Sequence, residues 1–202
     1  MIETDRLKLM PATVDLARAE IADRHEFARL LGASVPDNWP PESLTDVLPL
    51  FLSWLEAAPD RVGWFSWYAL AAGDTLASSV LVASGGFKGP PQDRTIEVGY
   101  SVLPQFQGRG YATEMVCGLI RWALKQPGVA RVVAETEWTN PASVRVLSKA
   151  GFAPLGPTTE PGSARFEFRR GASAAEPGAV PNGDPATPTG NSGGTEGPPS
   201  VS

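Results

Sequence analysis

The chain has 202 residues, 42% of them hydrophobic, a formal net charge of −5 and a pI of about 5.0. This length and composition predict one domain with a full core, and the absence of a basic stripe disfavours nucleic-acid binding. The acidic balance mildly favours cationic partners such as amines. A single cysteine, Cys117, excludes an internal disulfide and a cysteine-based zinc site, and a single histidine, His25, disfavours a histidine-dependent triad or a multi-histidine metal centre.

The two ends of the sequence differ from the rest in composition. The first residues, Met1 to Arg6, are too polar for a secretion signal, and no apolar run reaches the length of a membrane span. We therefore expect a cytoplasmic protein without a membrane partner. From about Ala172 onward Pro, Gly, Ser, Thr and Ala dominate and no aromatic residue remains, so we predict a domain over 1–171 and a disordered tail over 172–202.

The first half of the domain reads as strand, helices and strands. Alternation predicts a first strand over Leu7–Met10, which Pro11 ends, and helical spacing predicts one long helix from Val14 to Leu31 with Gly32 as its stop. A second helix is expected from a cap at Ser43 or Thr45 to about Ala58. The remaining signals predict two strands around a turn at Gly73-Asp74, namely Trp64–Ala72 and Leu76–Ser84, followed by a loop over Gly85–Pro91.

In the second half, strands and helices alternate. Thr95–Val102 reads as a strand, Thr113–Lys125 as a helix with one apolar stripe, and Arg131–Glu135 as the next strand. Pro141 suits the first turn of another helix that Gly151 stops, and the last two strands are predicted over Phe152–Leu155 and Ala164–Phe168.

The most informative segment is the glycine-rich turn between the Thr95–Val102 strand and the following helix, Gln105-Phe106-Gln107-Gly108-Arg109-Gly110-Tyr111-Ala112. Such a turn leaves backbone N–H groups free at a helix start, where they bind anions, above all a diphosphate. Glycine lets a ligand approach the main chain and permits unusual backbone angles. The spacing fits neither the P-loop nor the dinucleotide-binding fingerprint. A tight connection without a ligand would explain a lone Gly-x-Gly.

The string from Pro104 to Glu114, PQFQGRGYATE, closely resembles the acyl-CoA pyrophosphate loop of the Gcn5-related N-acetyltransferases, and in particular the subgroup with the ribosomal-protein alanine N-acetyltransferases. Three further segments, in the family's order, are similar to that subgroup: Glu3 to Leu9, Asn140 to Ser143, and Lys149 to Phe152. The resemblance covers roughly the first 170 residues. It implies an α/β fold with a mixed, mostly antiparallel sheet flanked by helices and splayed at an acetyl-CoA site.

The resemblance implies a set of cofactor contacts. The diphosphate would bind main-chain N–H groups of Gln107, Gly108, Arg109, Gly110, Tyr111 and Ala112. Val102 and Leu103 would pair with the pantetheine arm as an added strand does, and an N–H of one of them would polarise the acetyl carbonyl. Asn140 would also contact pantetheine, although its place before Pro141 equally fits a helix N-cap. No metal is implied.

The resemblance also implies direct transfer without an acetyl-enzyme intermediate. Many relatives carry an acidic tyrosine at the position of Leu147, so Ser143, one turn earlier, is the nearest hydroxyl to the expected thiol and is our candidate to assist the leaving thiolate. A small residue packed under the cofactor is the alternative. Glu97 and Glu135 are candidate bases acting through water; together with Glu137 they could instead hold a substrate ammonium or be solvated surface groups.

The acceptor side is the least determined part of the sequence. Trp39, Trp64 and Trp67 fall in segments that line the acceptor side in the family, where aromatic walls hold a chain or an ammonium; core packing is the alternative, and we favour it for Trp67. The pocket near Phe87 and Trp64 would set the size of the acyl group. We expect an N-acetyltransferase acting on a primary amine, either a protein N-terminus or a small molecule. A non-catalytic acyl-CoA-binding module and a transferase of longer acyl groups are the alternatives, and a homodimer is left open.

Overall fold

A computed structural model describes residues 1–71 and 78–168 of the chain. They form an eight-stranded sheet in the order β1-β2-β3-β4-β5-β6-β8-β7, in which every neighbouring pair is antiparallel except the parallel pair β5–β6. Helices cover both faces of this sheet. The predicted mixed, mostly antiparallel α/β fold is confirmed.

The first half of the chain builds one edge of the sheet and the helices on one face. Its elements are β1 (Ile2–Glu3), β2 (Leu7–Pro11), α1 (Val14–Ala22), α2 (Arg24–Leu31), α3 (Glu42–Thr45), α4 (Leu48–Ala57), a 3-10 turn (Pro59–Arg61), β3 (Ser66–Ala71) and β4 (Val80–Phe87).

The second half supplies the centre, the other edge and the opposite helix layer. Its elements are β5 (Thr95–Val102), a 3-10 turn (Pro104–Phe106), α5 (Tyr111–Ala123), β6 (Arg131–Glu137), α6 (Pro141–Lys149), β7 (Phe152–Pro157) and β8 (Ser163–Phe168).

Two hydrophobic clusters, one on each face, hold the layers together. The first cluster lies under α5 and α6 and contains the predicted apolar stripe of α5 from Met115 to Ala123. The second lies under α1, α2 and α4 and includes Phe27, Leu55 and Tyr68. Because successive strand residues point to opposite faces, β3 sends Trp67 into the first cluster and Tyr68 into the second. We call these the α5 face and the α1 face.

The prediction of one long helix over Val14–Leu31 is wrong. Asp23 has an extended backbone (φ −152°, ψ 104°) that ends α1, and its carboxylate accepts the N–H groups of His25 and Glu26 as the N-cap of α2. An aspartate that satisfies two first-turn donors stabilises a new helix start more than continuation of the old helix. The apolar spacing that suggested one helix belongs to two shorter helices on the same face.

Two further boundaries differ from the prediction. The expected helix up to Ala58 is divided into α3, which begins at Glu42, and α4, which begins after Val47 and has no side-chain N-cap. Strand β4 continues through Gly85 and Gly86 to Phe87, where a loop was predicted. At Gly86 a Cβ would lie 1.8 Å from the Phe65 carbonyl oxygen, so only glycine lets the preceding segment cross this closely. The predicted Gly73-Asp74 turn and the 172–202 tail lie outside the described residues.

The sheet opens between β5 and β6. Their parallel pairing joins only Thr95–Glu97 to Arg131–Val133, after which the two strands separate and β6 pairs with β8 alone. The last five residues of β5 therefore have a strand neighbour on one side only, namely β4. This is the predicted splay, and it is confirmed.

Candidate active site

The turn before α5 leaves backbone donors free at the helix start, but the prediction is wrong for Gln107, whose N–H donates to the Pro104 carbonyl (3.2 Å). Gly108 and Gly110 have positive φ values of 74° and 83°, and Gly110 is the N-cap of α5 without any side-chain cap. Intrahelical bonding starts with the N–H of Glu114, which donates to the Gly110 carbonyl. The N–H groups of Tyr111 to Thr113 therefore point out of the first turn, where the positive end of the helix dipole favours an anion.

The backbone N–H and C=O groups of alternate residues in β5 point to opposite edges of the strand, one toward β4 and the other toward the gap. The N–H of Leu103 donates to the Val82 carbonyl (3.1 Å), so Val102 and Tyr100 are the residues whose N–H and C=O point away from β4, into the gap. Of the two residues predicted to meet pantetheine, Val102 thus faces the gap, whereas Leu103 is fully buried and uses its N–H within the sheet. The Gln107 side chain donates to the Val102 carbonyl (3.1 Å), which ties the turn to the strand end.

A cleft of about 580 Å³ lies where β5, the turn and α6 meet. Most of the predicted cofactor residues line it, including Val102, both glycines of the turn and the N-terminal residues of α5 and α6. The structure adds residues that the sequence reading did not single out: Tyr100, Ser101, Phe106, Thr113, Ala142, Arg145, Val146 and Lys149. Helical spacing could have found Arg145 and Lys149, which lie three and seven residues after Ala142 and therefore on one face of α6.

The cleft is a local concentration of positive charge on an acidic protein. Arg145 and Lys149 line it one turn apart, and Arg109 stands beside it with its guanidinium 5.6 Å from the Phe106 ring centre. Within residues 1–71 and 78–168, none of these three cations is paired with a carboxylate. Unpaired cations beside exposed helix N–H groups suit a ligand with several phosphates.

The start of α6 holds the polar groups of the cleft. Asn140 is the N-cap, because its side chain accepts the N–H of Ser143 (3.0 Å), and it also lines the cleft. The hydroxyl of Ser143 lies 2.8 Å from the Tyr100 hydroxyl, which also donates to the Ser143 carbonyl at 3.2 Å. Leu147, where many relatives have a tyrosine, is fully buried in the core of the α5 face.

The candidate carboxylates lie on the α1 face, and neither Glu97 nor Glu135 lines the cleft. Glu97 is paired with Val133 in the parallel register and forms an ion pair with Lys88, whose side chain is 64% exposed. Glu135 accepts two hydrogen bonds from Arg165, from Nε at 2.8 Å and from Nη2 at 2.5 Å. Alternation along β6 puts Glu135 and Glu137 on one face, as expected. Glu137 is exposed and accepts from Thr139.

The three predicted acceptor aromatics are packed in the protein and do not line the cleft. Trp39 is 8% exposed and its indole N–H donates to Glu20. Phe87 is 3% exposed and stacks on Trp122, on the α5 face, and Trp64 meets the same Trp122 ring edge-on. Core packing therefore accounts for the contacts that these aromatic rings make.

A buried carboxylate network on the α1 face was missed by the sequence reading. Glu20 accepts the Tyr68 hydroxyl at 2.6 Å and the Trp39 indole N–H at 2.9 Å. Burial raises the pKa of Glu20 above its ordinary value, and these two hydrogen bonds offset only part of that effect. The Trp39 loop is also fixed to the cofactor side, because the side-chain amides of Asn38 and Gln105 bond reciprocally at 2.9 and 2.8 Å.

The N-terminal segment clamps the turn from outside. Arg6 donates to the Arg109 carbonyl (2.9 Å) and forms an ion pair with Glu114 (2.7 Å), which also accepts the Thr4 hydroxyl at 2.6 Å. Burial acts to raise the pKa of Glu114, but the hydrogen bonds from Thr4 and Arg6 and the Arg6 charge bring it below its ordinary value. The Glu3-to-Leu9 segment and the glycine-rich turn are therefore in contact in the fold, although Arg6 and Arg109 are 103 residues apart in the sequence.

Residues 1–71 and 78–168 contain neither a candidate metal site nor a candidate membrane-spanning helix. No group of three or more His, Cys, Asp or Glu side chains there is arranged to hold a metal ion. In the same part of the chain, no helix combines the length and apolarity needed to cross a membrane.

Comparisons with known proteins agree with this geometry. Residues 6–153 match the family described as "Acetyltransferase (GNAT) domain". The uncharacterized N-acetyltransferase YjdG of Bacillus subtilis is 29% identical over 153 residues, which cover 75% of this chain and 89% of YjdG.

Solved structures show the same fold. An acetyltransferase of the GNAT family from Bacillus anthracis superposes with a TM-score of 0.55 at 18% identity, covering 83% of this chain and 96% of that one. AAC(6')-Ib in complex with paromomycin and acetyl-CoA gives 0.54 at 19% identity, covering 82% and 94%. The family match spans well over half of the sequence, from the Arg6 clamp through the cleft to the end of α6. The chain is thus an N-acetyltransferase that belongs to the GNAT family.

Proposed function

We propose that the protein moves the acetyl group of acetyl-CoA directly to a primary amine, either a protein N-terminal α-amine or the amine of a small molecule. One observation carries the proposal: an anion-binding turn and the Ser143 hydroxyl line the same cleft, at the point where β5 and β6 separate. Such a cleft suits a long phosphorylated thioester, with its phosphates at the turn and its thioester group near Ser143.

The residues present fit acetyl-CoA as co-substrate. The N–H groups of Tyr111 to Thr113 suit the diphosphate, with each charged hydrogen bond contributing about 1.5–3 kcal/mol and the helix dipole up to ~2 kcal/mol. The unpaired Arg145 and Lys149 supply positive charge for the remaining phosphate. The gap-facing N–H and C=O of Tyr100 suit an amide of the pantetheine arm as an added strand. The Val102 carbonyl already accepts from the Gln107 side chain, which leaves the Val102 N–H for the acetyl carbonyl.

The same groups support the transfer step. A backbone N–H directed into the gap at Val102 is positioned to polarise the acetyl carbonyl, and Ser143 donates a hydrogen bond toward the leaving thiolate. A thiol with an ordinary pKa near about 8.5 is a competent leaving group, so the hydroxyl needs only to assist. Among the described side chains Cys117 packs on the α5 face, outside the cleft, which favours direct attack without an acetyl-enzyme intermediate.

Glu97 is the carboxylate that we assign as general base, acting through water. It lies on the same strand and face as Ser101, which lines the cleft, and its one ion-pair partner, Lys88, has a largely solvated side chain. Glu135 is more firmly held, because Arg165 donates twice to one of its oxygens. We therefore assign Glu135 a role in holding Arg165 and the neighbouring strands, and only a secondary role in proton transfer.

The acceptor approaches from the α1 face. An α-amine, with a pKa of about 7.7–8.0, is partly neutral at pH 7, whereas a lysine amine near 10.4 is almost wholly protonated, so a weakly basic amine asks less of Glu97. The subgroup resemblance favours a protein N-terminus as the acceptor. The structure of AAC(6')-Ib with bound paromomycin, which has the same fold, supports a small-molecule amine as the alternative acceptor.

A turnover assay with purified protein tests the proposal. Acetyl-CoA is incubated with a panel of N-terminal peptides, polyamines, amino acids and aminoglycosides, and free thiol is measured; calorimetry with CoA measures binding separately. We expect binding, and thiol release with at least one amine. Binding without release across the panel would instead indicate a non-catalytic acyl-CoA module, faster release from longer acyl-CoAs a different donor, and absence of binding would refute the proposal altogether.

A further inference from the structure

The cleft contains a phenol that the sequence reading did not assign to the reaction. Tyr100 lies on β5 and Ser143 in the first turn of α6, 43 residues apart, yet their hydroxyl oxygens are 2.8 Å apart. Both residues line the cleft. Leu147, one turn after Ser143 on α6, is fully buried and carries no hydroxyl, whereas Tyr100 on the neighbouring strand contacts the Ser143 hydroxyl directly.

We propose that Tyr100 is the proton source behind Ser143, so that the two hydroxyls act as one unit that protonates the departing thiolate. This inference deepens the proposed function and rests on it. Tyr100 acts through Ser143 and is in that sense a positioning residue, whereas Ser143 is the group that meets the sulfur.

Every bond and proton in this transfer step is accounted for. The amine nitrogen forms a bond to the acetyl carbon, the carbon–sulfur bond breaks, and its electron pair stays on sulfur. Ser143 gives its hydroxyl proton to sulfur and takes the proton of Tyr100, while Glu97 receives the amine proton through water. The Tyr100 phenolate is then reprotonated from solvent through the open cleft, as Glu97 loses its proton. No oxidant, metal or further reactant is needed.

The surroundings of Tyr100 suit this role. Burial raises its pKa, an effect that the hydrogen bond with Ser143 partly offsets, so the phenol keeps its proton throughout the neutral range. A serine hydroxyl alone is a poor acid; a phenol is much closer to a thiol in pKa and makes proton transfer to sulfur far less unfavourable. The single phenol proton is donated to the Ser143 carbonyl at 3.2 Å while the Ser143 hydroxyl donates to Tyr100, and rotation of both hydroxyls turns this proton to the Ser143 oxygen at 2.8 Å for the transfer.

The first test needs no acceptor. The thiol of CoA bound to the protein is titrated by the ultraviolet absorbance of the thiolate, in the parent and in Tyr100→Phe. A phenyl ring keeps the packing but loses the hydroxyl. We expect a lower thiol pKa in the parent, because the hydrogen-bonded pair stabilises the thiolate, and a rise in Tyr100→Phe. Equal values in the two proteins overturn the inference.

The second test is kinetic and uses Tyr100→Phe, Ser143→Ala, the double variant, and Ser148→Ala as the exposed serine control on the same helix. We expect kcat to fall about 10- to 100-fold in each single variant with little change in the KM of acetyl-CoA. The double variant should lose no more than either single variant, because residues that act as a unit are non-additive. Additive losses, or a change in KM alone, contradict the shared role.

A fluorinated tyrosine at position 100 separates proton donation from bracing of the helix. Its lower phenol pKa should move the alkaline limb of kcat to lower pH, whereas a purely structural tyrosine leaves that limb in place. The failures are distinguishable: if the parent binds no CoA, the proposed function fails, and if the parent binds CoA but the Tyr100 variants match it in thiol pKa and kcat, only the inference fails.

Discussion

The two faces of the sheet differ in the kind of polar groups that they present, mainly backbone groups on the α5 face and side chains on the α1 face. On the α5 face, the cleft is built from main-chain groups of one continuous segment, from Tyr100 to Thr113, to which α6 adds its side chains. On the α1 face, polar contacts join distant side chains: Glu20 meets Trp39 and Tyr68, which are 19 and 48 residues away. Backbone chemistry follows local sequence, whereas a side-chain network exists only after folding. The predictions below test this contrast, beginning with the largest effect.

Removal of the Glu97 carboxylate, the proposed general base on the α1 face, should have the largest effect on kcat. We expect Glu97→Gln to lower kcat about 100-fold below pH 8, where the amine is mostly protonated, and less at higher pH. Rates are measured between pH 6 and 9 on the best acceptor. Glu160→Gln, in the β7–β8 turn, is the control for loss of one charge. A pH-independent loss, or a greater loss in Glu135→Gln, would transfer the role of base away from Glu97.

A methyl group added at Gly108, in the glycine-rich turn, should weaken the binding of CoA about tenfold. A Cβ at Gly108 meets no protein atom within 4 Å, so Gly108→Ala adds strain at φ 74° and obstructs the ligand without crowding the fold. Gly162 has the same open surroundings at φ 84°, away from the cleft, and Gly162→Ala is the matched control. Both should lower the melting temperature similarly, and only Gly108→Ala should raise the Kd of CoA in calorimetry. Equal affinities would argue against main-chain binding.

The cations of the cleft should contribute less than its backbone. We expect Arg145→Ala and Lys149→Ala each to raise the KM of acetyl-CoA about 3-fold, with a smaller salt dependence than in the parent, because exposed charges are screened. With dephospho-CoA as competitor, the variants and the parent should differ less than they do with CoA. Arg131→Ala, on the far side of β6 and paired with Glu167, is the control. Unchanged KM in both variants would leave phosphate binding to the main chain alone.

Two partly buried carboxylates, Glu114 on the α5 side and Glu20 on the α1 face, should give pH effects on stability of opposite sign. The pKa of Glu114 is lowered in the fold, so its stabilisation is present above its ordinary value near 4.5 and is lost as the pH falls through the lowered value. Glu114→Gln should therefore cost about 1 kcal/mol at pH 7, since Arg6 is half exposed, and almost nothing in strong acid.

The pKa of Glu20 is raised, so stabilisation by its neutral form is complete below the ordinary value near 4.5 and is lost as the pH rises through the raised value. Glu20→Gln should accordingly gain on the parent as the pH rises from 4 to 8. Urea unfolding across this range measures both variants. Parallel curves for Glu20→Gln and the parent would show that the carboxylate is not destabilised by burial.

The cofactor half of the site was predictable because its signals are local. Gly108 and Gly110 needed positive φ, Asn140 before Pro141 marked a helix start, and the stripe from Met115 to Ala123 marked the buried side of α5. Each of these features is decided by backbone geometry within a few residues. The chain by itself thus determined the fold class, the glycine-rich turn with its free N–H groups at the start of α5, and the position of Ser143 in the first turn of α6.

Only the tertiary structure decided which side chains meet. The register of β4 with β5 directs the backbone of Tyr100 and Val102 into the gap and not that of Leu103, and the position of α6 brings Ser143 to Tyr100. Packing placed Trp39 and Phe87 in the core, where the sequence alone allowed either a ligand wall or a buried ring. Such contacts depend on the relative placement of segments tens of residues apart, and one-dimensional spacing does not record that placement.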